Sequence, residues 1–194
     1  LRANLDALTV LNRCRDEGGR WATPDEQAVL ARWSGWGAIP QVFDTADDRY
    51  ADERAELRQL LRTETGWAQA RRTTLNAHYT SAPVVQAMWH AAQQLGVAGD
   101  GVRVLEPGCG SGNFIGFAPD GTILTGVELD QTTAEIAQHL YGARATIHAT
   151  AFEELRVEDG AFDTVIGNVP FAKVTPHDPR HNRGRHALHN YFLI

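Results

Sequence analysis

Cysteine is scarce in this sequence: Cys14 and Cys109 are the two among 194 residues. Two thiols are too few for a disulfide framework, so a reducing cytoplasm is the expected compartment. Long apolar runs are missing as well. None approaches the roughly 18 residues that a membrane-spanning helix needs, and no charged-then-apolar leader marks secretion. No membrane partner is expected. Positive charge is also short, with 18 Lys and Arg against 24 Asp and Glu for a net −6. That balance excludes a protein that coats nucleic acid wholesale. What remains is ample apolar content, 43%, enough for one domain with an attached helical segment. The chain opens on Leu1 and stops within the apolar Tyr191-Phe192-Leu193-Ile194, which reads as a piece of something longer.

The charge is uneven. From Phe171 to Ile194 the cations are Lys173, Arg180, Arg183 and Arg185 against the single acid Asp178, a local +3. A basic stretch on an acidic body suits contact with phosphates; a solvated loop has the same composition. His177, His181, His186 and His189 lie in the same stretch. Their spacings of three and four invite zinc, but no cysteine or companion carboxylate motif accompanies them, so no metal is expected.

The first hundred residues read as helical. Leu5, Leu8 and Leu11 share a face that Gly18-Gly19 terminates. Thr23-Pro24-Asp25-Glu26 has the wording of a capping box with proline in the first turn, predicting a helix to about Trp33. Further helices are predicted from about Ala51 to Arg62 and from Ser81 to Leu95. From Val102 the pattern changes to short β runs, at 102–105, 122–127, 145–148 and 162–166, separated by helical segments and a glycine loop. Such alternation predicts a parallel, doubly wound α/β sheet with right-handed crossovers, whose ligands bind at the carboxyl ends of the strands.

Three motifs fall at those ends. The first is Leu105-Glu106-Pro107-Gly108-Cys109-Gly110-Ser111-Gly112-Asn113. Glycines there allow a sharp turn and close approach of a ligand. A dinucleotide fingerprint wants a third glycine where Asn113 stands, and Glu106 would oppose a phosphate. A ligand bearing a sulfonium and an ammonium would welcome it. A tight strand-to-helix turn without a ligand is the alternative. The second motif is Gly126-Val127-Glu128-Leu129-Asp130, with Glu128 placed 20 residues past Gly108. A carboxylate offers two acceptors to the vicinal hydroxyls of a ribose, whereas Asp130 is expected to cap the next helix. The third is Gly167-Asn168-Val169-Pro170-Phe171, an amide, a stiff proline and an aromatic after a strand. In isolation it is an ordinary Asn-x-Pro turn.

In this order the three motifs resemble the S-adenosylmethionine-dependent amino-methyltransferases, and most closely the N6-adenine DNA methylases with an Asp/Asn-Pro-Pro-Tyr/Phe motif. The resemblance covers about residues 70 to 194. It implies a Rossmann-like class I methyltransferase fold, incomplete at about four strands, in residues 74–194, behind a helical segment at 1–73. It implies S-adenosyl-L-methionine held by Glu106, Pro107, Gly108, Cys109, Gly110, Glu128 and Leu129. Asn76-Ala77-His78-Tyr79-Thr80-Ser81-Ala82-Pro83 is similar to the family segment that holds the methionine carboxylate, which adds Tyr79 and Thr80. Ala151-Phe152 aligns with the pair at the cofactor's adenine, although the family's acid there is replaced by alanine or supplied by Glu153. The wording Gly-Asn-Val-Pro-Phe and the His-Asn pairs at 181–182 and 189–190 resemble methylase domains of very large phage and plasmid proteins that also carry helicase regions.

The resemblance further implies that Asn168 and the backbone of Val169 receive the adenine amine, with Pro170 and Phe171 completing the catalytic loop. Val169 replaces a proline of the family, but its carbonyl can still accept. The target adenine is expected to flip out of DNA, with the basic segment from Lys173 to Arg185 meeting phosphates. Cys109 has no histidine adjacent in sequence and is not expected to act as a nucleophile. The same loop logic serves methylases of protein glutamine amides and of RNA bases. A cofactor-binding module without catalysis, inside a larger DNA-processing protein, is the other alternative.

Overall fold

The computed structural model describes residues 1–74, 79–169 and 175–192. Asn76, Ala77 and His78, the Pro170 and Phe171 of the third motif, and Lys173 lie outside the described residues. The chain forms two compact units, Leu1–His78 and Tyr79–Ile194.

The first unit is helical. Helix α1, Arg2–Asp16, buries Leu5, Leu8 and Leu11, the predicted face. Helix α2, Pro24–Leu30, has the complete capping box between Thr23 and Glu26, an arrangement worth about 1 kcal/mol. It stops three residues short of Trp33 because Trp33, Trp36, Phe43 and Trp67 form a run of edge-to-face rings, with centroids 4.9–5.6 Å apart. The buried Asn4 side chain grips this bend, donating to the Gly35 carbonyl and accepting the Ser34 N–H (3.0 Å). Trp33, Ser34, Gly35 and Trp36 thus form a packed bend. Helix α3 covers Ala51–Leu61 and ends on Arg62 in the left-handed region. Helix α4, Glu64–Thr73, lies in the stretch that reads as helical but without bounds of its own there, since it buries only Trp67 and Ala70, too few apolar positions to show a period.

The second unit begins with α5, Ala82–Gln94, followed by β1 (Arg103–Pro107), the short α6 (Asn113–Gly116), β2 (Ile123–Glu128), α7 (Gln131–Tyr141), β3 (Ala145–Ala149), β4 (Thr164–Val165) and α8 (Leu188–Tyr191). The strands are all parallel, in the order β3-β2-β1-β4. Strand order thus reverses between β1 and β4, the switch point at which a doubly wound sheet opens a crevice. This is a doubly wound, Rossmann-like α/β sheet.

Val104, Leu124, Ile147 and Ile166 of the strands and their ends meet Val85 and Trp89 of α5, Phe114 and Ile115 of α6, and Ala134 and Ala137 of α7. Trp89 satisfies its indole N–H on the Phe114 carbonyl (2.9 Å). The two-residue β4 is pinned to β1 by the bidentate Arg103–Asp163 pair, whose arginine also brings its backbone N–H to Asp163 (2.9 Å). Arg103 and its hydrogen bonds hold the Asp163 carboxyl down at about 2. Both side chains are half exposed, so the pair fixes register more than it adds stability. No helix of the described residues is long and apolar enough to cross a membrane.

Candidate cofactor and catalytic site

Strand register brings the motifs together. Pro107 at the end of β1 faces Val127 of β2, and Glu128 faces Ala149 of β3. On the other side of β1, the Ile166 N–H donates to the Leu105 carbonyl (3.0 Å). A Cβ on Gly167 would lie 3.5 Å from Glu106 Cγ and 3.6 Å from the Pro107 carbonyl oxygen. The third motif therefore leaves the sheet directly beside the first. Asn168, the next residue, is exposed, and Val169 is half-buried.

The glycine loop is shaped by backbone that side chains resist: φ is +67° at Gly108 and +57° at Gly110. It is tied to β2 by the Cys109 N–H on the Val127 carbonyl (2.9 Å). The Gly110 N–H donates to Glu128 Oε2 (2.9 Å), and the Asp130 N–H donates to Glu128 Oε1 (2.7 Å). Each carboxylate oxygen has a further lone pair for a ligand hydroxyl. Asp130 caps α7 as expected, accepting the Thr133 N–H (2.9 Å) and hydroxyl (2.7 Å).

Glu106 is 4% exposed, and among the described residues its Oε2 has no hydrogen-bond partner. Burial first, then the neighbouring Glu128 charge, pushes its pKa well above the carboxylate range, opposed by a backbone N–H from Ile115. Burial also raises Glu128, against the backbone donors of Asp130 and Gly110. Buried carboxyls at adjacent strand ends favour their charged forms only when a cation or hydroxyl donors meet them. Cys109 is buried between them. Burial, then Glu106 and Glu128, pushes its thiol up, so it stays protonated and unreactive.

The segment before α5 closes over this loop. A Cβ on Gly110 would meet the Tyr79 ring at 3.1 Å, and the Tyr79 hydroxyl pairs with Ser111. The Thr80 carbonyl accepts the Asn113 side-chain N–H (3.1 Å). Sequence alone assigned neither Ser111 nor Asn113 a partner; Asn113, which breaks the dinucleotide pattern, is the residue that fastens Thr80. Leu129 is 68% exposed, an apolar side chain left open at the end of β2. Ala151 and Phe152 follow β3 at the edge of the sheet, Phe152 opening a 3-10 turn to Glu154 in which Glu153 is exposed. Phe152 stacks on Phe192 (4.9 Å, 30° between planes) and meets Tyr191 edge-on (6.0 Å). Thus Gly110 is bonded to Glu128 and overlain by Tyr79, Thr80 is fastened to Asn113, and Glu106 and Pro107 lie beside Gly167, whereas Ala151 and Phe152 stand one strand further out. Among the described residues no group of three or more His, Cys, Asp or Glu is arranged to hold a metal.

Residues 104–185 match the family model described as a methyltransferase domain. The match takes in the glycine loop and strands β2, β3 and β4. Defense against restriction protein B of Escherichia phage P1 is 32% identical over 171 residues, covering 87% of this chain and 6% of that protein. Type II methyltransferase M.XamI of Xanthomonas campestris pv. amaranthicola is 35% identical over 108 residues, 50% of this chain and 20% of that one. The chain therefore spans a small part of the length of the curated relatives it matches. Among solved structures, a Pyrococcus horikoshii protein described as an RNA methyltransferase superposes with a TM-score of 0.45 and 18% identity, covering 61% of this chain and 55% of that one.

Proposed function

We propose that the chain binds S-adenosylmethionine at the ends of β1 and β2 and directs its methyl group to the N6 amine of adenine in DNA. The observation that carries the cofactor reading is the pair of buried carboxyls, Glu106 with an unpartnered oxygen and Glu128 already aligned by two backbone donors. In this reading Glu106 answers the positive end of the ligand, and Glu128 accepts from both ribose hydroxyls. Tyr79 and Thr80 border the methionine end over Gly108, Cys109 and Gly110, with Pro107 starting the turn. Leu129 and Phe152 offer apolar faces to the adenine ring, and Ala151 leaves room beside it. The bound cofactor supplies an electrophilic methyl on a sulfonium.

The protein's own task is to aim a poor nucleophile. The lone pair of an exocyclic amine is delocalised into its ring. Acceptance of its two N–H groups by the Asn168 side-chain oxygen and the Val169 carbonyl would draw the nitrogen toward tetrahedral geometry and localise that pair. Positioning and fixed acceptors then provide most of the acceleration without a strong general base. Pro170 and Phe171 are assigned from the motif, the first stiffening the loop and the second stacking on the flipped base. DNA is favoured by the motif wording and the basic segment from Lys173 to Arg185. The relatives named for defence against restriction and as a Type II methyltransferase support a place in restriction or its evasion; the larger cytoplasmic protein with helicase-like regions rests on the motif wording alone. Asn168→Ala tests the scheme with labelled cofactor and adenine-containing DNA. Transfer should fall at least about 100-fold while cofactor affinity stays within about twofold; undiminished transfer contradicts the role of Asn168.

A further inference from the structure

Residues 175–192 place exposed cations on a buried polar scaffold. Asp178 is 7% exposed. Its Oδ1 accepts the backbone N–H groups of Arg180 (2.9 Å) and His181 (3.0 Å), and its Oδ2 accepts the Tyr191 hydroxyl (2.6 Å). These donors, Tyr191 first, hold its carboxyl down at about 2, so it is charged throughout the physiological range. Asn182, equally enclosed, closes a second ring. It donates to the carbonyls of Pro176 (3.0 Å) and His186 (3.1 Å) and accepts the His186 N–H (2.7 Å). Tyr191 and Phe192 then seat the segment on Phe152, beyond the end of β3. A freely solvated loop has no use for a buried carboxylate and a buried amide, each costly to desolvate unless fully bonded.

The outer side of this scaffold has one sign. Arg180, Arg183 and Arg185 are exposed, and among the described residues no carboxylate forms an ion pair with any of them. The single acid of the stretch, Asp178, is spent inward on the scaffold. Arg185 borders a cavity of about 450 Å³ also lined by Thr175, Pro176, His177, Asp178 and Pro179, the Asp178 carboxylate there being engaged by the donors above. On a chain of net charge −6 this is a local exception to repulsion of a polyanion. Guanidinium groups fit phosphate oxygens in a planar fork, and a loop already ordered loses less entropy on binding.

We propose that this segment is a preformed contact for the DNA sugar–phosphate backbone, in which Arg180, Arg183 and Arg185 meet phosphates and Asp178 and Tyr191 are the positioning residues that hold them. The proposal rests on the DNA-directed reading above and deepens it. It goes beyond the charge of the stretch by assigning a role to its one acid and to the tyrosine that binds it.

The test is fluorescence anisotropy of an adenine-containing duplex titrated with the 194-residue chain over a salt series, with methyl transfer measured alongside. Arg180→Gln, Arg183→Gln and Arg185→Asn, made together, remove three cations; asparagine suits position 185, where φ is +51°. The slope of log affinity against log salt should become shallower by about 2 to 3, at roughly 0.9 per phosphate contact. Tyr191→Phe keeps every cation and the ring but removes the bond to Asp178. It should weaken duplex binding about three- to tenfold at an unchanged slope, with cofactor affinity retained as the sign of an intact fold. A wild-type chain that does not bind the duplex, or a triple variant with the wild-type slope, overturns the phosphate contact. Wild-type duplex affinity in Tyr191→Phe overturns the positioning role. Expected binding behaviour without methylated adenine would sink the proposed reaction and leave the contact standing; methylation with an unimpaired triple variant would do the reverse.

Discussion

Glu106 and Glu128 end adjacent strands, and their chemistry depends on having two carboxyls where water is scarce. Glu106 has its pKa raised by burial and by Glu128, so the free protein retains a proton there at pH values where an ordinary carboxyl has lost it. A cationic ligand favours the charged form. Binding should therefore release a proton, and affinity for S-adenosylmethionine should rise with pH through the raised pKa and level off above it. Calorimetry in two buffers of different ionisation enthalpy reads this directly; buffer-independent heats across the pH range would remove Glu106 from the cofactor site. The place of Glu128 at a strand end beside the glycine turn is legible in the sequence, since a carboxylate about 20 residues past such a turn is a local pattern. That of Asp178 is not. Its partners, the backbone of residues 180 and 181 and the hydroxyl of Tyr191, follow no period, so composition made it the odd acid in a basic stretch.

Among the elements, β1 and β2 hold the site by their closeness. A Cβ on Gly126 would stand 2.8 Å from Cys109 Sγ and 3.0 Å from Ile115 Cδ1, so the glycine loop packs onto β2 with no space to spare. Gly126→Ala should cost about 1–3 kcal/mol by overpacking and lower the melting temperature by about 4 °C or more. An unchanged transition in thermal denaturation would mean that Cys109 moves aside freely. The strands and most helices were legible because their apolar periods are strong and their caps explicit, as at Thr23 and Asp130. The bounds of α4 were hidden because two buried positions make no pattern, and the end of α2 was misjudged because tertiary contacts of Trp33, not local propensity, decide it. The aromatic seat of α8 on Phe152 joins elements about 40 residues apart, which no local signal records.

At the scale of the whole chain, one unit is a helical assembly around tryptophans and the other a four-stranded parallel α/β unit whose three motifs leave the carboxyl ends of its strands. On the proposed reading, the groups that would meet the cofactor are already in place there: two carboxyls, a glycine turn and the Tyr79 ring over it. The proposed transfer asks more, since Asn168 is exposed and in that scheme would be met by a base brought from outside. Cofactor binding is therefore the property on which the rest of the account depends. Titrating the 194-residue chain with S-adenosylmethionine by calorimetry, beside Glu128→Ala, measures it. We expect one equivalent bound by the wild-type chain and at least about tenfold weaker binding by the variant, the loss of a bidentate ribose contact. No heat from the wild-type chain, or equal affinities for the two, would contradict the site.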